Sequence, residues 1–337
     1  MKGKVKRAWL LLKTVLPLWI RTRTRPVLFV RAGALGDIIC TFPAALELKK
    51  RHPRAAFVYS CLPDFASLPV MGGITPHVIT ESIDPKSIWR FLFSAIYHFT
   101  YQDEQSGTAS SRTIIADFCR QHQVTVTAAH PRLQMNAQAL QRAQSLLTGP
   151  DMKAGPKIIL HLGPSWPVRE WPRENWLSLV RELQGQGVIG LIQIGSSKHV
   201  ELGTGADNSL PDVLSLVNQL TLEESLAVIS LSDLFIGIDS GLLHAAAALR
   251  IPGVGIFGPT SPQFRFAPDS SCSFVVSAAD CQGCHHRVPR LHWVSGCPYG
   301  IRCMKIISVA GVLSACLARL KSGGTKSMTV NLNLTHD

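Results

Sequence analysis

Two aspartates in this chain sit beside glycine-bearing turns where strands give way to helices. The first closes RAGALGD, Arg31 to Asp37; the second lies in GIDSGLLHAAAALRIPGVGIFGPT, Gly237 to Thr260. In the second, the apolar run Leu234 to Ile238 ends on Asp239, and Ser240 and Gly241 open an alanine-rich helical segment that carries His244. That order predicts strand, tight turn, helix. It places a carboxylate, a hydroxyl and an open backbone amide at a helix N-terminus, where free N–H groups and the helix dipole favour an anion. A phosphorylated ligand is the expected occupant. Gly258, Pro259 and Thr260 would line the same site from the next loop, and His244 is either a ligand contact or an inward, hydrogen-bonded core histidine.

A third motif, HLGPSWPVREWPRENW, His161 to Trp176, supplies the cation. Its Gly/Pro-rich loop carries Ser165, a possible phosphate donor, and Arg169, whose planar fork grips a diphosphate and whose charge does not vary with pH. The competing reading of Arg169 is a surface residue stacked on Trp171; Trp171 and Trp176 themselves read as helix-packing residues. Asp37, presented at a strand–loop–helix junction, is a candidate base facing a cleft, or else a simple N-cap. The G-A-L-G spacing is not the dinucleotide fingerprint, and no loop ends in GK[ST], which disfavours a nicotinamide enzyme or an ordinary NTPase.

The cysteines pose a separate question. Cys40, Cys61 and Cys119 are scattered, whereas Cys281, Cys284, Cys297 and Cys303 form C-x2-C-x12-C-x5-C, with His285, His286 and His292 as competing ligands. Thiolates at that spacing suit a structural zinc ion. Unliganded thiols and disulfides are the alternatives.

The elements that must position these groups alternate. VLFVR reads as a strand covered on both faces, and after a loop at Ala32 to Gly36 the segment IICTFPAALELKKRHP reads as a helix stopped near Pro53. AAFVYSCL is a strand, Gln102 to Ser111 a polar loop, and Arg112 to His122 and Asn136 to Leu147 are helical by spacing. Thr148 to Pro156 is the expected linker. Beyond it come KIILHLG, a helix from Arg173 to Gln184, GLIQIG, a weaker strand at Val213 to Leu216, a helix at Leu222 to Leu231, the LFIGI strand, a helix at Leu242 to Leu249 and the strand GVGIFG. Such alternation implies parallel sheets, which need crossover connections, so the expected fold is α/β with two doubly wound halves facing across a cleft.

The chain has 337 residues, 46% of them hydrophobic, enough for two cores, and a formal charge of +12 that suits a nucleotide, a nucleic acid or an acidic membrane surface. Part of that charge lies in residues 1–25, where Lys2, Lys4, Lys6, Arg7 and Lys13 precede Arg21, Arg23 and Arg25 around WLLLKTVLPLWI. No small-residue cleavage site follows, and the apolar run is too short to span a bilayer. It is either a basic amphipathic segment lying on an anionic membrane or a docked helix with a solvated basic face.

RAGALGDIICTFPAALELKKRHP, REWPRENW and LFIGIDSGLLHAAAALRIPGVGIFGPTSP, in this order, resemble glycosyltransferase family 9, the ADP-heptose:lipopolysaccharide heptosyltransferases. The resemblance implies the GT-B fold: a Rossmann-like acceptor domain at 26–150, a nucleotide-sugar domain at 156–320 carrying the cysteine cluster, and a tail at 321–337. It further implies an inverting reaction with no cofactor required for catalysis. By this likeness Asp37 is the general base, Arg169 neutralises the leaving diphosphate, Ser165 contacts phosphate, Asp239 holds sugar hydroxyls, and Ser240, Gly241 and His244 form the diphosphate turn. One departure is the loop SSKHVELG, which offers only Glu201 where family members often carry an acid for the ribose.

The expected activity is transfer of a heptose or related sugar from an ADP-activated donor to a lipopolysaccharide core or other lipid-linked saccharide. The expected partners are the nucleotide sugar, that acceptor and an anionic membrane surface, with no nucleic acid. The expected location is the cytoplasmic face of the inner membrane. A nucleotide-sugar epimerase of similar fold, or a non-catalytic carbohydrate-binding protein, is the alternative.

Overall fold

The computed structural model describes residues 2–80, 88–101, 112–126, 130–163, 166–195, 209–287 and 296–322. Among them lie two parallel sheets. The first contains β1 (Val27–Val30), β2 (Phe57–Ser60), β3 (Val78–Ile79) and β4 (Ala95–His98) in the order β3-β2-β1-β4. β1 pairs in register with both β2 and β4, Phe29 opposite Tyr59 on one side and Tyr97 on the other. All four β1 side chains are buried, and their alternation explains why the run is continuously apolar. Val27 and Phe29 pack under α2 (Leu35–Lys50), while Leu28 and Val30 pack with Val15 and Leu18 of α1 (Lys2–Thr22).

Of the α1 side chains from Leu12 onward, Val15 and Leu18 are buried against the first sheet. Leu12, Leu16, Trp19 and Ile20 form an adjoining stripe that stays exposed, Ile20 at 71%. No helix among the described residues is long and apolar enough to cross a membrane.

The second sheet runs β10-β9-β8-β5-β6-β7, built from β5 (Ile158–His161), β6 (Leu191–Gln193), β7 (Leu214–Ser215), β8 (Leu234–Ile238), β9 (Gly253–Phe257) and β10 (Cys272–Val276). Every strand pair is parallel. The helices α3 (Ile114–Gln121), α4 (Ala137–Thr148), α5 (Arg173–Gly185), α6 (Leu222–Ser230), α7 (Gly241–Ala248), α8 (Cys284–Arg287) and α9 (Val309–Ser322) cover the two sheets. On one face of the second sheet Ile158, Leu160, Ile236 and Ile256 meet Trp176, Leu179 and Leu183 of α5 and Val312 and Cys316 of α9.

Strand order fixes where a ligand can bind. The first sheet winds outward from β1 through β2 to β3 and then reverses to β4; the second winds from β5 to β7 and then reverses to β8. Crevices open at the carboxyl ends of strands flanking such reversals. The three motifs leave the sheets at these points: Arg31 to Asp37 follows β1, His161 to Arg169 follows β5, and Asp239 follows β8.

One element boundary differs from the sequence reading. Helix α2 begins at Leu35, so the expected loop at Ala32 to Gly36 is shorter and Asp37 lies in the first helical turn. Helix α4, on the acceptor side of the expected linker, packs against α6 of the second half through a core that includes Ala139, Ala143 and Leu147. The anticipated loop at Gln102 to Ser111 and most of the anticipated tail lie outside the described residues.

Candidate active site

The site forms where the N-termini of α2 and α7 meet. Ser240 caps α7, its hydroxyl accepting the Leu243 N–H at 3.4 Å. Gly241 follows, and its lack of a side chain lets the helices touch: a Cβ there would stand 2.9 Å from Leu35 Cβ and 3.0 Å from the Gly36 nitrogen. Gly36 is equally constrained, since its own Cβ would lie 2.7 Å from His244 Cδ2. Each helix brings unpaired N–H groups and the positive end of its dipole to this junction.

On the first domain's side, Asp37 is not the N-cap. It sits three residues into the turn, and its Oδ2 accepts the Ala34 N–H at 3.1 Å and Arg31 Nη2 at 2.9 Å. Oδ1 accepts the Tyr101 hydroxyl. Arg31 also donates to the Phe99 carbonyl at 3.0 Å and lies 4.2 Å from the Tyr101 ring centroid. Burial works against the Arg31 charge, but Tyr101 and Asp37 raise its pKa, so the guanidinium is held charged beside the carboxylate.

On the second domain's side, Asp239 is the hub. Its Oδ2 accepts the Thr260 hydroxyl at 2.7 Å and lies 3.4 Å from Arg169 Nε and 4.0 Å from Arg265 Nε. Arg169 Nη1 also reaches the Asp239 carbonyl at 3.3 Å. Burial alone would raise the Asp239 carboxyl; Arg169 and Arg265, with His244 and the Thr260 hydroxyl, hold it well below the ordinary carboxylate value. Two guanidiniums therefore face one ionised carboxylate in a buried setting.

His244 is both inward and interdomain. It stacks on Phe266 with ring centroids 4.4 Å apart, and its Nδ1 lies 3.6 Å from Cys40 Sγ of α2. Burial lowers its pKa to about 4 despite the pull of Asp239, so the ring is neutral at pH 7. Nearby, His285 and His286 are pushed down to about 2 and about 3, by burial first and then by Arg265. Arg169 stacks on Trp166, its Cζ 3.4 Å from the ring centroid, and not on Trp171. Trp171 is a packing residue as expected, edge-on to Trp176 and bonded through Nε1 to the Ile307 carbonyl at 3.0 Å.

Asp37, Arg169, Asp239, Ser240, Gly241, His244 and Thr260 thus gather around one junction. Gly258 faces elsewhere: a Cβ on it would meet Met304 Sδ at 2.4 Å and Cys303 Sγ at 3.0 Å. The Pro259 carbonyl is taken by the His285 N–H at 2.9 Å. Ser165 and Glu201 lie outside the described residues. Sequence reasoning missed Arg31, Tyr101 and Arg265. A charged residue closing an apolar strand was a signal for Arg31; FRFAPDS carried none for Arg265.

The cysteines are free thiols. Among the described residues no three Cys, His, Asp or Glu side chains stand together in a metal-holding arrangement. Cys281, Cys284, Cys297 and Cys303 are nonetheless neighbours. Burial pushes Cys303 up to about 12, helped by the other three, and raises Cys284, helped by Cys281 and Cys297.

The sequence profile of glycosyltransferase family 9 (heptosyltransferase) matches residues 91–294, more than half of the chain. The chain belongs to glycosyltransferase family 9. Lipopolysaccharide heptosyltransferase 1 of Pseudomonas aeruginosa is 25% identical to it over 314 residues, which cover 77% of this chain and 85% of the relative. ADP-heptose lps heptosyltransferase II of E. coli superposes with a TM-score of 0.64 at 17% identity, covering 89% of this chain and 99% of that one. The iron-containing dodecameric glycosyltransferase TibC from enterotoxigenic E. coli gives 0.65 at 20% identity, covering 89% and 77%. These likenesses establish the GT-B arrangement of the two sheets.

Proposed function

We propose that this family 9 protein transfers a heptose, or a related sugar, from an ADP-activated donor to a lipopolysaccharide core or another lipid-linked saccharide, with inversion. The observation that carries this reading is the meeting of one carboxylate from the first domain with two guanidiniums from the second at facing helix N-termini. Asp37 is the terminal base for the proton lost by the acceptor hydroxyl as that oxygen attacks the anomeric carbon. Arg169 and Arg265, with the N-terminal N–H groups of α7, stabilise the charge that grows on the departing diphosphate. Asp239 accepts the Thr260 hydroxyl and faces both arginines as an ion pair, so it orients the cations and offers no free nucleophile. One displacement on the face opposite the leaving group inverts the anomeric centre.

An epimerase would interconvert the donor without an acceptor, and a binding protein would consume nothing. The test is incubation with a panel of nucleotide sugars and truncated lipid acceptors while nucleoside diphosphate release is followed. Release that requires both donor and acceptor supports transfer; release from no pair rejects it. Asp37→Asn is expected to bind donor normally and to slow turnover by about 100-fold or more.

The protein works at the cytoplasmic face of a membrane in this reading. The exposed stripe of α1 is flanked by Lys13 and Arg21, a combination that partitions into an anionic lipid surface. Co-sedimentation with vesicles containing anionic lipid, lost in an Ile20→Glu variant, tests it. The C-x2-C-x12-C-x5-C spacing is what supports a structural zinc ion at the four clustered cysteines, although among the described residues they do not stand in a metal-holding arrangement.

A further inference from the structure

The two oxygens of Asp37 are occupied unequally. Oδ2 carries two donors, Arg31 Nη2 and the Ala34 N–H, one for each lone pair. Both donors are fixed, Ala34 by the start of α2 and Arg31 by its bond to the Phe99 carbonyl. A proton delivered to Asp37 therefore arrives at Oδ1, where the Tyr101 hydroxyl already donates. Tyr101 is not a loose cover. Arg31 lies over one part of its ring, and Phe118 stacks on it with centroids 5.8 Å apart. Burial, and then the neighbouring Asp37 charge, raise its pKa well above the ordinary tyrosine value, so it remains a donor. Its oxygen keeps a lone pair to accept a second hydrogen bond, and it stands within electrostatic reach of Arg265 on the donor side.

We propose that Tyr101 is a catalytic proton relay: the acceptor hydroxyl gives its proton to the Tyr101 oxygen while Tyr101 passes its own proton to Asp37 Oδ1. The electron pair left on the acceptor oxygen forms the new bond to the anomeric carbon. The bond from that carbon to the diphosphate oxygen breaks, and its electrons leave with the nucleoside diphosphate. Tyr101 ends neutral, and Asp37 ends as the carboxylic acid.

The relay rests on the glycosyl-transfer reading, and the experiment separates the two. Wild type, Tyr101→Phe and Asp37→Asn are compared in steady-state transfer with ADP-heptose and a truncated lipid acceptor. Phenylalanine keeps the ring on Arg31 and Phe118, and unchanged ADP affinity and melting temperature verify the fold. Tyr101→Phe is expected to lower kcat by about 100-fold or more with donor KM within about twofold of wild type. In H2O–D2O mixtures, wild-type kcat is expected to bow with deuterium content, as two protons in flight require, and the variant to respond linearly. A fully active Tyr101→Phe, or a slowed variant with the same bowed response, overturns the relay alone. Wild type that transfers sugar to no acceptor overturns the functional reading and the relay with it.

Discussion

Gly241 and Gly36 meet face to face at the junction of the two domains, so close that a single methyl on Gly241 would stand 3.0 Å from the Gly36 nitrogen. The obstacles are Leu35 Cβ and backbone, neither of which can swing aside. Gly241→Ala is therefore expected to push α7 off α2 and to lower kcat/KM by about 10- to 100-fold, since misplacing reacting groups by even an ångström is costly. Gly185→Ala, at the end of α5 with nothing within 4 Å of its added carbon, is the control and should retain full activity. Equal activity in both variants would mean that the approach of the two helices has no part in the reaction.

The pairing of Arg169 and Arg265 about Asp239 predicts a division of labour that calorimetry can read. Arg169→Gln and Arg265→Gln are each expected to weaken ADP binding by about 10- to 100-fold, the value of a charge-assisted contact. Adenosine, which lacks the diphosphate, should bind the variants as it binds wild type. Asp239→Ala acts differently. It leaves two buried guanidiniums around a lost carboxylate and should destabilise the fold by about 3–5 kcal/mol, measured by denaturant unfolding. A Gln variant that loses ADP and adenosine affinity in equal measure would assign its arginine to the architecture of the pocket.

How legible the site was depended on where each residue lies relative to a strand end. Asp37, Arg169 and Asp239 follow β1, β5 and β8, and a strand end before a glycine turn is a local pattern that survives without any tertiary knowledge. The parallel α/β architecture was readable for the same reason: continuous apolar runs such as VLFV reflect burial on both faces. Arg265 and Tyr101 were not legible. They reach the site from an irregular loop and from just past an edge strand, and only the assembled fold brings them to Asp239 and Asp37. The start of α2 was misplaced because glycine at 36 reads as loop, whereas here it is a helical residue kept small by His244.

Four histidines, His161, His244, His285 and His286, are strongly lowered in pKa and give a pH dependence of one sign, for which His161 and His244 serve as the example. His161, bonded through Nδ1 to the Ile194 carbonyl at 3.2 Å, and His244 are each lowered by burial from 6.5 to about 4. In the unfolded chain they protonate as pH falls through 6.5; in the folded protein they do so only near 4. The unfolded state thus binds more protons between those values, and folding stability falls as pH is lowered through that window, by about 1.4 kcal/mol per pH unit for each histidine at most. Unfolding monitored from pH 7 to pH 4.5 should show the loss beginning near 6.5, and His244→Gln should reduce its slope. A flat profile down to pH 4.5 would contradict the neutral state of these rings in the folded protein.

The cysteine cluster makes the last prediction. Burial first, and then the neighbouring cysteines, raise the Cys284 and Cys303 thiols. A tetrahedral ion would reverse that: each thiolate formed would gain a metal bond instead of a repelling neighbour, and the binding free energy would add to folding. Protein purified under reducing conditions is expected to carry about one metal ion per chain, and Cys281→Ser to lose it together with several degrees of melting temperature. Elemental analysis identifies the ion, and colour separates the cases, since zinc thiolates are colourless and ferric thiolates absorb in the visible. Titration of four reactive thiols per chain in stable, metal-free protein would instead make the cluster a packing feature between Gly258 and Met304.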